Sequence, residues 1–384
     1  MIKRISIFLL GALAMIMAGC SKEPHTAAPG ENDWVHDLTL PVPIQFSTAA
    51  TPATKSAIET ADQMVGKNFG FFAVDKAASD LTAPNGLSEI FNNVSAQCAL
   101  TDNYTEDGRQ IVDFSWTTGT SYYYPMTSKI NYNFYGYHLW NSGASVTSET
   151  RITVPVSYSG KSLWTTDILW GEAVAEPKSP EGSDLVYNGF NAAYVRKIGK
   201  PMIDFKHATA RVSFKATLAE DPDAKEGVQV DQFKLMNVPS SANLCVVDIL
   251  DPSLNGTFVD LGEPSESGCP IPGSNLGTLE QGVTAEIATD MFIPPMTESL
   301  VVRILYRVVM ENGSTGGQQT ADYEIDPKLF NASLNGYEAG KHYIFNLKFY
   351  SPERIVIDAT VQEYENAFDG DGVALVDPDD PSNY

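Results

Sequence analysis

His342-Tyr343-Ile344-Phe345-Asn346-Leu347-Lys348-Phe349 is the stretch whose reading decides the fold. Tyr343, Phe345, Leu347 and Phe349 occupy every second position, against His342, Ile344, Asn346 and Lys348. Side chains two apart share one face of an extended strand, whereas a helix needs its apolar residues three and four apart. The same period recurs elsewhere. Ile355, Ile357, Ala359 and Val361 alternate downstream, Val212, Phe214, Ala216 and Leu218 upstream. Val112, Phe114 and Trp116, and Ile130, Tyr132 and Phe134, do so in the first half of the chain.

Turn signals lie between these runs: Pro84-Asn85-Gly86, Asp107-Gly108, Ser159-Gly160, Asn255-Gly256, Asn312-Gly313 and Asn335-Gly336. Helical windows are short and few, near residues 87–94 and 327–330. The class is all-β, built as sandwiches. A polar, turn-rich stretch over residues 176–191 precedes Gly199-Lys200-Pro201, and a fresh alternation begins at Ile203 and Phe205. The expectation is an N-terminal sandwich over residues 38–199 and a C-terminal one over residues 200–368, followed by an acidic tail, 369–384. No repeat of fixed period is visible, which argues against a solenoid or propeller.

The first twenty residues carry a separate signal. Lys3 and Arg4 form a positive start, Ile5 through Met17 are free of charge, and Ala18-Gly19 lead into Cys20. That run is too short for a transmembrane span and reads as a secretory leader. Its end, Met17-Ala18-Gly19-Cys20, looks like the bacterial lipobox, with Met17 where that motif commonly has Leu. On this reading residues 1–19 are a lipoprotein signal peptide, Cys20 carries lipid, and acyl chains hold the mature chain to a membrane. Residues 20–37 lack apolar period and form a flexible tether.

Twenty-five basic residues against 48 acidic ones give a formal charge of −23. Such a chain repels nucleic acid and anionic headgroups, so neither is expected as a partner. With Cys20 taken by lipid, Cys98, Cys245 and Cys269 remain, none at metal-ligand spacing. The interval from Cys245 to Cys269 is rich in Pro and Gly and suits a disulfide staple. Buried free thiols are the equal alternative.

Little in the sequence foreshadows catalysis. His25 and His36 lie in or beside the tether, and His138, His207 and His342 sit within strand patterns as structural residues. There is no G-x-S-x-G elbow, no H-E-x-x-H and no P-loop. No enzyme activity, cofactor or metal is expected. Asp369-Gly370-Asp371-Gly372 with Asp377, Asp379 and Asp380 has the look of a calcium loop. Val373 stands at the fifth position and Asp380 where a bidentate Glu belongs, so a solvated tail is the reading. Tyr122-Tyr123-Tyr124-Pro125, then Tyr132, Phe134, Tyr135, Tyr137 and Trp140, either fill a core or present rings to a glycan.

In order along the chain, several fragments resemble the fimbrillin family of Bacteroides-type bacteria. They are the lipobox, Ile44-Gln45-Phe46, Thr54-Lys55-Ser56-Ala57, Phe69-Gly70-Phe71-Phe72-Ala73-Val74, the Tyr-Tyr-Tyr-Pro run and Asn133-Phe134-Tyr135-Gly136-Tyr137. Asp167-Ile168-Leu169-Trp170-Gly171, Phe205 through Val212 and Gly340-Lys341-His342-Tyr343 complete the set. The resemblance implies two tandem transthyretin-like β-sandwiches and an adhesive, structural role in a pilus. It implies export as an outer-membrane, surface-exposed lipoprotein, removal of an N-terminal strand by a protease, and β-strand addition from other pilus subunits. Lys55-Ser56 stands where the family commonly has an Arg in a T-R-A-like setting, and the acidic tail is a second departure. The alternative is a surface lipoprotein that does not polymerise and binds a glycan or host ligand.

The removable strand falls on residues 38–46, where Leu38, Leu40, Val42, Ile44 and Phe46 alternate with Thr39, Pro41, Pro43 and Gln45. Proline cannot donate to a ladder, so this strand is expected at an edge. The small, polar residues 47–55 after it suit a protease, with cleavage expected after Lys55. The replacing strand is expected from residues 355–361 or 373–376.

Overall fold

The computed structural model describes residues 33–35, 37–50, 61–83, 91–106, 108–126, 130–158, 166–179, 186–220, 227–271, 273–351, 354–363 and 373–375. The chain divides into two compact units, up to Leu40 and from Pro41 onward. In the first, Asp33–Val35 make a 3-10 turn, and the Asp37 carboxylate accepts from the Thr39 amide (2.8 Å) and hydroxyl (2.6 Å).

The second unit is all-β. Its strands are β1 (Ser47–Ala50), β2 (Asn68–Asp75), β3 (Val94–Tyr104), β4 (Gln110–Trp116), β5 (Tyr132–His138), β6 (Ser145–Ser148), β7 (Arg151–Ser157), β8 (Leu169–Ala173) and β9 (Asp204–His207). Then come β10 (Ala210–Leu218), β11 (Gly227–Leu235), β12 (Ser241–Asp248), β13 (Phe258–Val259), β14 (Cys269–Pro270) and β15 (Gly277–Thr278). The last are β16 (Thr284–Ile293), β17 (Leu300–Val309), β18 (Gln319–Ile325), β19 (Lys341–Ser351), β20 (Arg354–Glu363) and β21 (Val373–Leu375). Of the two helical windows, residues 327–330 form one turn, with Pro327 in its first position. The Asp326 side chain caps it by accepting from the Lys328 amide at 2.9 Å. Of the window at residues 87–94, only 91–94 are described, and they are not helical: residues 91–93 form a bend and Val94 opens β3.

Four sheets result. A seven-stranded antiparallel sheet runs β1-β4-β3-β2-β5-β8-β9. A four-stranded one runs β13-β12-β7-β6, and two five-stranded sheets run β16-β10-β19-β20-β21 and β14-β11-β17-β18, with β15 beside β11. The stretch that set the class becomes β19, the centre of its sheet, parallel to β10 and antiparallel to β20. Tyr343, Phe345, Leu347 and Phe349 are all fully buried, as the alternation requires. Backbone pairing crosses residue 200 in both directions. β9 completes the N-terminal sheet against β8, and β7 pairs with β12 from Ser157–Ser241 to Arg151–Asp248.

The crossing explains why β2 and β5 read as continuous apolar runs rather than alternating ones: both faces of their sheet are covered. On one face Phe69 and Phe71 meet Phe114 at ring distances of 5.3 and 4.9 Å. On the other, Phe72, Val74 and Tyr137 join one apolar cluster that runs through Val154 and Leu244 to Val212, Val302 and Phe345. Gly70 lies under the Tyr137 ring, and a β-carbon there would meet Tyr137 Cε1 at 2.3 Å. Trp170 on β8 donates its indole N–H to the Val246 carbonyl (2.9 Å, buried), tying the two sheets through the core.

His138 closes β5 in this core, with its Nδ1 3.0 Å from the Asn68 carbonyl and its ring 5.0 Å from Phe69. Burial pushes the imidazole down to about 4, against the opposing pulls of the Asn68 carbonyl and Asp167. The unfolded chain takes up this proton near pH 6.5 and the folded one only near 4. Stability is therefore unaffected above 6.5 and falls as pH drops through that window, by roughly 3 kcal/mol. Urea unfolding at pH 7 and 4.5 checks this. The parent is expected to lose most of that stability. His138→Asn, whose amide nitrogen stands in for Nδ1, is expected to lose little, and equal losses in both chains would refute the assignment.

Candidate functional site: a closing strand over an aromatic pocket

Prolines 41 and 43 dictate how residues 41–46 lie. Lacking N–H groups, they turn their backbone away from any ladder, and the intervening residues make the bonds. Pro43 bridges Tyr123 antiparallel. The Tyr124 amide donates to the Val42 carbonyl (2.9 Å) and the Ile44 amide to the Tyr122 carbonyl (2.8 Å). Val42, Ile44 and Phe46 point inward and are buried; Leu38 is exposed. The expected strand over residues 38–46 is thus corrected: the alternation is buried only from Val42, pairing begins at Pro43, and the regular strand is Ser47–Ala50. Pro41 and Pro43 are the physical reason, since neither can supply a ladder donor.

Its position is also more than an edge. Ser47–Ala50 pairs along β4, from Asp113 to Gln110. At the same time the Ser47 amide donates to the Pro201 carbonyl (3.2 Å) and the Ile203 amide donates to the Ser47 carbonyl (2.8 Å), just ahead of β9. Ser47 thus spends both its backbone groups on the 201–203 border, while next to it the Phe46 carbonyl accepts from the Phe114 amide (3.2 Å) on the β4 border, so this short segment bridges the two borders of the seven-stranded sheet.

Phe46 is the plug of that closure. Its ring lies 4.7 Å from Phe134, 5.1 Å from Phe71, 5.6 Å from Trp116 and 5.7 Å from Phe91. Tyr122 packs on Phe91 and Trp116, and Tyr124 on Phe134, so Tyr122, Tyr124 and Phe134 of the aromatic run build this pocket, while Tyr135 and Tyr137 face the other core. Tyr124, Tyr132, Phe134, Tyr135 and Tyr137 are buried, which selects the core-filling reading of the run; Tyr123 is exposed and Trp140 half-buried. The Tyr124 hydroxyl has no hydrogen-bond partner among the described residues, and burial, then the neighbouring Tyr132, pushes its pKa up. Fully burying three side chains of this size stabilises the segment by roughly 5–9 kcal/mol.

The other sequence-predicted residues do not join this site. Cys20, Lys55, His25, His36 and the acids at 369–372 and 377–380 lie outside the described residues. Cys98, in β3, and Cys245, in β12, are buried free thiols. Cys269 belongs to β14, in a different sheet from Cys245. Burial pushes the Cys98 thiol up and the Cys245 thiol to about 11, which keeps both from acting as thiolates near pH 7. His207 pairs with Asp167 at 2.7 Å and the His342 Nε2 lies 2.7 Å from the Ser213 hydroxyl, both inside the fold. Among the described residues no group of three His, Cys, Asp or Glu could hold a metal, and no helix is long and apolar enough to cross a membrane. Phe71, Phe91 and Trp116 are pocket walls to which the sequence reading gave no such role: Phe71 and Trp116 appeared only within strand patterns, and Phe91 lies in a bend outside any strand.

A model of the family described as fimbrillin-like matches residues 52–363. No curated protein matches the chain. Among solved structures, the chain is similar to a fimbrial protein from Bacteroides vulgatus (12% identity, 83% of this chain and 99% of that one, TM-score 0.48). It is also similar to a fimbrial assembly protein from Parabacteroides distasonis (13%, 85% and 97%, 0.40). The fimbrial anchor protein Mfa2 from Porphyromonas gingivalis is a further likeness (9%, 84% and 97%, 0.35).

Truncating the plug tests its weight. Phe46→Ala is expected to lower stability by about 3–5 kcal/mol, read as a shift of the urea midpoint at unchanged slope. A loss below about 1 kcal/mol would show that the pocket collapses without its plug.

Proposed function

The chain belongs to the fimbrillin-like family, and on that premise we propose that it is a structural, adhesive subunit of a surface pilus. In this reading it is exported as an outer-membrane lipoprotein through Cys20, cut after Lys55, and assembled with other pilus subunits by strand exchange. The observation that carries the reading is that the Phe46–Ser47 segment is bonded to one border through Phe46 and to the other through Ser47, over the Phe46 pocket. A cut after Lys55 severs the closing segment from the rest of the fold. Loss of that segment would bare two backbone borders, at residues 110–114 and 201–203, with an aromatic trough between them. Unpaired borders beside an apolar trough accept an added strand.

Magnitudes favour exchange over simple release. The segment is held by several kcal/mol of burial, so a cut alone leaves it seated until another strand of similar pattern displaces it. Two C-terminal stretches have suitable residues. Residues 355–361 lie within β20, which is paired with β19 along its length. Val373–Leu375 is attached only to the outer border of β20, through Val361, Thr360 and Ala359. The second is far easier to free, and we take it as the donor.

Limited trypsin digestion of the folded mature protein, with N-terminal sequencing and sizing, tests the mechanism. Cleavage after Lys55 is expected to yield ladders resistant to sodium dodecyl sulfate, and Lys55→Ala to yield none. A chain that resists the cut, or is cut and stays monomeric beside related subunits, would instead favour a non-polymerising surface lipoprotein. The anchor has its own test: Cys20→Ala in an exporting host is expected to move the protein from the membrane fraction to the soluble one. Unchanged partition into detergent would rule out lipid on Cys20.

A further inference from the structure

A cavity of about 670 Å³ opens where the end of β5 faces the β7–β12 pair, on the far side of the sheet from the Phe46 pocket. Its inner wall is apolar, with Val154, Ile168 and Leu244 all buried. Its mouth carries Trp140, Asn243 and Asp260. The volume falls within the range of small-ligand sites.

The chemistry of the mouth restricts the ligand. Trp140 is pinned, its indole N–H donating to the Asn93 carbonyl (3.3 Å) and its backbone amide to the Asn68 carbonyl (3.1 Å). The polar edge of the ring is thus committed to the protein, and what it offers the cavity is carbon surface. Asn141 is committed as well: its amide donates to the Pro155 carbonyl (2.9 Å) and its side-chain oxygen accepts from the Gly143 amide (2.7 Å). Asp260 is different. It is exposed and, among the described residues, forms no ion pair and accepts one long hydrogen bond from the Asn243 side-chain amide (3.3 Å). Among the described lining residues there is no Lys or Arg, and His138 is neutral near pH 7 because burial pushes it down to about 4.

We propose that this cavity binds a neutral saccharide unit, with a sugar face on Trp140 and hydroxyls bonded to Asn243 and Asp260. A pinned aromatic surface takes the C–H face of a pyranose, and a carboxylate with spare lone pairs accepts from its hydroxyls. Phosphate, sulfate and fatty-acid carboxylates are disfavoured, since no Lys or Arg is among the described lining residues and Asp260 would repel them. The proposal does not rest on strand exchange, because the site lies wholly within one folded chain.

Saturation-transfer NMR on the mature protein is the test. The probes are methyl glycosides of galactose, mannose, fucose and N-acetylglucosamine, with N-acetylneuraminic acid, glucuronic acid and choline as charged controls. At least one neutral glycoside is expected to receive saturation and the charged probes none. Asn243→Ala and Asp260→Ala are each expected to weaken the binding at least tenfold by calorimetry. Trp140→Ala is expected to abolish it. Asp322→Asn, on β18 against Arg303, should leave it unchanged. Trp140 also packs on the core, so if Trp140→Ala loses its circular dichroism signal, the Asn243 and Asp260 variants decide. Silence from every neutral glycoside, saturation of charged probes alone, or full affinity in both Asn243→Ala and Asp260→Ala would overturn the proposal.

Discussion

One residue, Ser47, sits where two borders of the same sheet are brought together, and the architecture of the N-terminal half depends on it. Its amide and carbonyl face Pro201 and Ile203, while the residues that follow it pair along β4. Ser47 and Thr48 are buried, so the backbone groups they satisfy have no water to fall back on. Each orphaned group would cost about 1–3 kcal/mol. A closed sheet has no border on which another chain can template. The closing piece is a short segment joined to the rest through residues 51–60. In the proposed mechanism, the feature that closes the sheet is therefore the one that a single cut would unlock.

The rest of the fold is built to survive such an event. The seven-stranded sheet is anchored from behind by the apolar cluster that runs into the C-terminal sheets, and by the Trp170–Val246 hydrogen bond. Arg151 and Asp248 reinforce the β7–β12 pairing with an ion pair at 2.8 Å. Burial works against the Asp248 carboxylate, yet the Asp251 amide, the Arg151 guanidinium and the Leu250 amide together hold it below its usual range. None of these contacts passes through residues 42–50. Loss of the closing segment would open one face of one sheet and leave the shared core packed.

The class of the fold was legible because its signal is local. In Leu300–Val309, for instance, Leu300, Val302, Ile304 and Tyr306 are buried while Arg303 and Arg307 turn outward to Asp322 and Asp231. A period of two records that arrangement directly. Which strand pairs with which is not local. Nothing at residues 151–157 announces a partner at 241–248, and nothing at 204–207 announces that it completes a sheet begun before residue 120. The closing segment lay between these cases. Its alternation and its prolines marked a special strand, but its second border, at 201–203, is separated from it by about 150 residues of sequence and leaves no pattern. Phe91 was similarly opaque, as a single aromatic outside any alternating run.

Charge constrains how such a chain could assemble. With a net charge of −23, approaching copies repel, and at physiological salt that repulsion is screened only beyond about 8 Å. Attraction must then come from short-range burial, which makes the apolar content of the donor strand decisive. Residues 355, 357, 359 and 361 would fill a long trough, but freeing them dismantles the β19–β20 pairing. The short Val373–Leu375 pairing costs less to break, and in the sequence Asp371 and Asp377 stand two positions outside Val373 and Leu375. A carboxylate cannot enter the Phe46 pocket unpaired. In the proposed exchange those two acids would stop the strand at each end and fix its register, since a slip by two positions would bury a charge. Two apolar side chains would then stand where Val42, Ile44 and Phe46 stood, and the donor is matched to two adjacent subsites of the trough rather than to all three.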